Sequence, residues 1–222
     1  MILSMPMVLP LYLLRIFGRK ESEPRFVLWA TQSWARFVLR ITPAEVMVHG
    51  IEHLPEGGNL VFVANHQSAY DIPLIMAVVP KNLGFVAKKE LTYIPFISTW
   101  MRAMKCVFID RSSPRRAMKV LDKAVDNLKA GHCMVIFPEG TRSRGPRMGE
   151  FHHGSFKLAF RAESTIVPVT IKDTYKMREL EDRIRPGSVE LFIHPPVPTA
   201  GLAVEERRAL GKKVAERIAS VL

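Results

Sequence analysis

The sequence is poor in the residues that staple or metallate a small fold. It has two cysteines, Cys106 and Cys133, each inside an apolar run that reads as a strand. Such thiols are read as buried and reduced. No second pair of ligands stands at metal spacing, so neither a disulfide framework nor a zinc site is expected. His152 and His153 are adjacent and cannot share one helical face as paired ligands do, so no metal is expected there either. A Gly-x-Ser-x-Gly elbow is missing, and His153-Gly154-Ser155 does not supply one, which argues against a serine hydrolase of that kind. There is no internal repeat and no low-complexity tract.

Acidic residues are also few: 21 Asp and Glu stand against 32 Lys and Arg, for a net charge of +11. That balance favours a polyanionic partner, whether nucleic acid, anionic membrane or a phosphorylated small molecule. No helix-turn-helix signature, zinc spacing or RNA-binding aromatic motif is visible, so nucleic acid is not expected as the partner. Anionic lipid accounts for the charge equally well.

A long unbroken apolar run is absent too. Residues 1–17 are apolar apart from Ser4 and Arg15, but Pro6 and Pro10 interrupt them, and Arg19 and Lys20 follow. A spanning helix needs about 20 apolar residues. A signal peptide carries its positive charge before its apolar stretch rather than after. The run is therefore read as a segment lying in or dipping into one leaflet. Next, Phe26, Trp29, Ser33, Phe37 and Ile41 recur at helical spacing, accompanied by Arg25, Arg36 and Arg40. Rings and arginines on one helix suit the headgroup boundary. Residues 1–41 are thus expected to form a membrane-associated helical element, and residues 42–222 a separate domain. The expected location is the cytoplasmic face of the cell membrane, as a peripheral or monotopic protein.

What is present supports a substantial core, since 48% of residues are hydrophobic. Strand-like runs fall at 46–48, 60–64, 83–87, 106–109, 134–137, 166–171 and 189–193. Helical patterns fall at 72–79, 93–104, 114–130, 151–161 and 204–222. This alternation predicts an α/β fold with a largely parallel central sheet and flanking helices. In such sheets ligands gather beyond the carboxyl ends of the strands.

Strand 60–64 runs straight into Asn65-His66-Gln67-Ser68-Ala69-Tyr70-Asp71. Asp71 stands near a helix start, and the short loop lets its carboxylate turn back on His66. A carboxylate on one ring nitrogen fixes the tautomer and leaves the other nitrogen able to take a proton. Strand 134–137 leads into Pro138-Glu139-Gly140-Thr141-Arg142-Ser143, strand 106–109 into Asp110-Arg111, and strand 83–87 into Lys88-Lys89. Four strands thus deliver a base pair, two arginines and a lysine to one edge. Glycine permits close backbone approach, and arginine can hold a phosphate bidentately.

Four ordered blocks carry a resemblance: Asn65-His66 through Asp71, Phe108 through Arg111, Phe137 through Ser143, and Val167 through Ile171. Together they resemble the glycerolipid acyltransferases, nearest the bacterial 1-acyl-sn-glycerol-3-phosphate acyltransferase (PlsC-like) group, over residues 46–193. The resemblance implies His66, oriented by Asp71, as general base on the sn-2 hydroxyl of a lysophosphatidate acceptor. The acyl donor would be an acyl carrier protein or coenzyme A thioester, with no cofactor and no covalent acyl-enzyme. Arg111, Glu139, Gly140, Thr141 and Arg142 would form the acceptor-phosphate region, with Lys88 as a further candidate. Because Glu139 cannot attract phosphate, it is expected to order Arg142 or the loop. The alternative reading is an acyltransferase of the same fold acting on glycerol 3-phosphate, another lysophospholipid or an amino-lipid.

Overall fold

Short β-branched and apolar runs pair only if their backbone groups meet neighbouring strands, and here they build one sheet. The computed structural model describes residues 8–17, 21–110, 114–181 and 183–222. The strands are β1 (Ala44–His49), β2 (Leu60–Ala64), β3 (Leu83–Lys88), β4 (Val107–Ile109), β5 (Cys133–Ile136), β6 (Thr165–Lys172), β7 (Gly187–Ile193) and β8 (Val197–Pro198). Their order is β1-β7-β6-β2-β5-β3-β4, with β8 on β6. Pairings from β6 through β2, β5 and β3 to β4 are parallel. β7 joins β6 antiparallel, and β1 runs parallel to β7. The expected largely parallel α/β sheet is thus present.

Every residue of β2 is buried, as expected of a central strand covered on both faces. Alternation assigns its side chains to two cores. Phe62 and Ala64 join Val167, Val169 and Ile171 beneath α2 (Ser22–Ile41) and α3 (Asp71–Val78). Val61 and Val63 join Met134, Ile136 and Ile166 beneath α5 (Pro114–Lys129), α6 (Lys157–Ala162) and α7 (Val204–Ala219). Each large apolar side chain so buried contributes about 1.5–3 kcal/mol.

The N-terminal helices α1 (Val8–Ile16) and α2 lie against this body. Leu11, Val27, Ala30, Ala35 and Leu39 are buried in the first core. Gln32 Nε2 donates to the Val79 carbonyl at 3.3 Å, and Asn82 Nδ2 to the Pro24 carbonyl at 3.0 Å. The opposite face of α1 leaves Leu9, Tyr12, Leu13, Ile16 and Phe17 exposed, and α2 exposes Trp29, Phe37 and Ile41. Among the described residues no helix is long and apolar enough to cross a membrane.

Two expected helices are shorter than their apolar patterns. Within the 93–104 pattern only α4 (Ile97–Ala103) is helical, preceded by a 3-10 turn at Lys89–Tyr93. Pro95 disfavours helical backbone at Ile94, which is extended, and Phe96 adopts φ 63. The 151–161 pattern begins as a 3-10 turn, His153–Phe156, before α6 starts.

Candidate active site

The loop between β2 and α3 is anchored before it does any chemistry. The β2–β6 ladder pairs Ala64 with Val169. Asn65 continues the match with its side chain: Nδ2 donates to the Ile171 carbonyl at 2.7 Å, and Oδ1 accepts from the Ile171 amide at 2.8 Å. A primary amide carries one donor group and one acceptor, so it can imitate a strand residue. The next residue, His66, is therefore delivered at a fixed place past the strand.

Asp71 opens α3 and is fully buried, at 0% exposure. Its Oδ2 accepts from His66 Nδ1 at 2.7 Å, the Gln67 amide at 2.7 Å and the Ser68 amide at 3.0 Å. Its Oδ1 accepts from Thr174 Oγ1 at 2.5 Å. Backbone amides and a hydroxyl proton surround the carboxylate, so it serves as an acceptor and the His66 proton sits on Nδ1. The imidazole stacks on Phe137, with ring centroids 4.0 Å apart and an 18° tilt. Its side chain keeps 17% exposure, and among the described residues nothing hydrogen-bonds its Nε2. With Nδ1 committed to Asp71, Nε2 is the ring nitrogen left to take a proton.

Glu139 is the second buried carboxylate. Oε1 accepts from the His66 amide at 2.6 Å, and Oε2 from the Gly149 amide at 2.7 Å. Burial pushes its carboxyl above the usual carboxylate range, and the two amide donors oppose that shift. A Cβ on Gly149 would stand 2.9 Å from Glu139 Oε2, so the glycine is what lets the carboxylate in. Of the two roles expected for Glu139, it orders the loop. Two further bonds sew its loop to the His66 loop: the Ser143 amide donates to the His66 carbonyl at 2.8 Å, and the Arg144 amide to the Gln67 carbonyl at 3.2 Å.

Arg142 is paired elsewhere. Its Nη1 donates to Glu179 Oε1 at 2.9 Å, with 35% of its side chain exposed. The same oxygen accepts from Ser68 Oγ and from the Ala69 amide, both at 3.3 Å. Arg142 thus borders the His66 loop through Glu179. Sequence reasoning missed Glu179 and Thr174. Both lie just past β6, where the strand-end rule points, but each is an ordinary residue type with no motif around it.

Beside Phe137 opens a cleft of about 470 Å³. Val86, Ile109, Ile136 and Leu158 give it an apolar floor, and Gly140 and Thr141 line it as well. Gly140 adopts φ 71, a left-handed turn suited to glycine. Lys88 sits exposed at the end of β3, with β5 between its strand and that of His66. Arg111 lies outside the described residues. Among the described residues no cluster of His, Cys, Asp or Glu could hold a metal ion.

A family model described as Acyltransferase matches residues 45–172, which includes every element of this site up to the end of β6. The chloroplastic 1-acyl-sn-glycerol-3-phosphate acyltransferase of Arabidopsis thaliana is 32% identical over 200 residues, covering 89% of this chain and 53% of the plant protein. The chain thus spans about half the length of that relative. The 1-acyl-sn-glycerol-3-phosphate acyltransferase of Pseudomonas aeruginosa is 32% identical over 186 residues, covering 82% of this chain and 70% of its own. The crystal structure of the 1-acyl-sn-glycerophosphate acyltransferase PlsC from Thermotoga maritima superposes with a TM-score of 0.80 at 30% identity, over 98% of this chain and 94% of that one. The resemblance first carried by four short blocks extends to the whole fold, and the chain belongs to the acyltransferase family.

Proposed function

We propose that this protein transfers a fatty acyl group from an acyl carrier protein or coenzyme A thioester to the sn-2 hydroxyl of 1-acyl-sn-glycerol-3-phosphate, giving phosphatidate for phospholipid synthesis. The observation that carries the reading is the 2.7 Å bond from His66 Nδ1 to the buried Asp71 carboxylate. It leaves Nε2 as the proton acceptor. Nε2 takes the hydroxyl proton while the acceptor oxygen attacks the thioester carbonyl carbon. The tetrahedral intermediate then collapses, the carbon–sulfur bond breaks, and the thiolate leaves with the proton from the imidazolium. General base help of this kind contributes roughly 10²–10⁴ in rate. The relatives named as 1-acyl-sn-glycerol-3-phosphate acyltransferases support the choice of acceptor.

Gly140, Thr141 and Arg142 form the acceptor-phosphate region in this reading. Glu139 holds their loop against the base. Arg111 and Lys88 are further cationic candidates on neighbouring strand ends. The apolar floor of the cleft suits hydrocarbon. In this reading α1 and α2 make the membrane contact, and the enzyme works on the cytoplasmic face as a peripheral or monotopic protein. In support, α1 exposes Leu9, Tyr12, Leu13, Ile16 and Phe17, an i, i+3, i+4, i+7, i+8 stripe of one helix face.

The test is an assay of purified protein with lysophosphatidate, glycerol 3-phosphate and lysophosphatidylcholine in parallel, each with both donor types. Lysophosphatidate is expected to be the preferred acceptor. Preference for either other acceptor would replace this substrate assignment. His66→Ala is expected to abolish transfer with an unchanged far-UV circular dichroism spectrum, and substantial remaining activity would refute the general-base role.

A further inference from the structure

The segment after β6 contributes to the site although no motif marks it. Thr174 opens the 3-10 turn Thr174–Met177, two residues past the end of the strand. The Asn65 side chain grips Ile171 just upstream. The intervening Asp173 turns through φ 68. The Thr174 side chain is thereby brought to Asp71, and both residues are buried, at 1% and 0% exposure.

The two oxygens of Asp71 do different work. Oδ2 holds His66 Nδ1 and the Gln67 and Ser68 amides, while Oδ1 accepts from Thr174 Oγ1 at 2.5 Å. A carboxylate gripped at one oxygen can still rotate about its other bonds. Gripped at both, it has one orientation, and the imidazole bonded to it inherits that orientation. Threonine suits the task because its branched Cβ restricts χ1.

We propose that Thr174 is a positioning residue of the transfer reaction, third in line behind His66 and Asp71, whose hydroxyl fixes the carboxylate that orients the base. This rests on His66 acting as general base. The hydroxyl also withdraws electron density from the carboxylate. Without it, the carboxylate binds the Nδ1 proton more strongly and favours the imidazolium. The acid limb of kcat/KM, which reports the base in the free enzyme, then moves to higher pH. The other charged groups around His66 are Glu139 on its amide, and Glu179 with Arg142 and Arg144 across Ser68 and Ala69. On the Thr174 turn itself, Asp173 pairs with Lys176. None of these is altered by replacing Thr174 with an isosteric residue.

The experiment compares Thr174→Val, Thr174→Ser and His66→Ala in the full chain, reading kcat, both KM values and the pH profile. Thr174→Val is expected to lower kcat by about tenfold, the worth of one hydrogen bond. It should leave both KM values within about twofold and move the acid limb upward. Thr174→Ser, which keeps the hydroxyl, should restore the rate and the limb. Should Thr174→Val fold poorly by urea titration, Thr174→Ala is read the same way. An inactive His66→Ala beside a Thr174→Val with wild-type kcat and pH profile would overturn the positioning role alone. So would a loss that serine does not restore and that leaves the limb in place. Activity surviving in His66→Ala would remove the base reading and the positioning role with it.

Discussion

Glu139 holds the backbone of His66, with its Oε1 accepting a hydrogen bond from the His66 amide at 2.6 Å. The glutamate of the Phe137–Ser143 block thus supports the His66 backbone, while Asp71 supports its imidazole.

Glu139→Ala would remove two hydrogen bonds, from the half-buried His66 amide and from the amide of exposed Gly149, together worth about 1–3 kcal/mol. Urea denaturation should show that loss, together with reduced transfer activity. The carboxylate also predicts a pH effect. Its folded pKa lies above the usual value, so the folded state holds this proton more tightly than the unfolded chain. The Glu139 contribution to stability is present at low pH. It declines as pH rises from the unfolded carboxyl's 4.5 through the higher folded value. Measured between pH 4 and 7, wild type minus Glu139→Gln should show that decline, and a difference that grows with pH would contradict it.

Arg142 has one guanidinium nitrogen on Glu179 and further N–H donors, which the proposed reading gives to the acceptor phosphate. A charge-assisted bond of roughly 1.5–3 kcal/mol corresponds to about tenfold or more in the acceptor's KM. Arg142→Ala should therefore raise KM for lysophosphatidate by that factor and KM for the donor far less. Equal increases for both substrates would argue against a phosphate contact. Arg142→Lys should restore little, since a point charge cannot serve Glu179 and a phosphate with one planar fork.

The exposed stripe on α1 offers a cleaner membrane test than truncation, because α2 buries Val27, Ala30 and Leu39 in the core and its removal would uncover apolar surface. Leu13→Asp with Ile16→Asp changes two exposed positions. Each lost apolar contact is worth about 1.5–3 kcal/mol, so affinity for phosphatidylglycerol-containing vesicles should fall at least about tenfold. The urea midpoint should stay put. Unchanged flotation with vesicles would place the membrane contact on another surface.

Much of the fold was legible because β-branched runs alternate with helical periodicity, and each predicted strand has its counterpart within a residue or two. The helix ends at 93–104 and 151–161 were not, because Pro95 and the turn at 153–156 act on backbone geometry that apolar spacing does not encode. His66 and Asp71 were legible as a pair because they share one short loop. Arg142 was legible as a cation near His66, but its partner was not.

By itself, the sequence determined which residue types stand at the strand ends, and therefore His66, Asp71 and the Glu139–Ser143 loop. It did so because strand periodicity and loop length are local properties. Only the tertiary structure decided that Glu139 grips the His66 amide, that Glu179 takes Arg142 and that Thr174 reaches Asp71. Those contacts join residues 73, 37 and 103 positions apart. The packing of parallel strands side by side brings such distant loops together, and nothing in the spacing along the chain records which of them will touch.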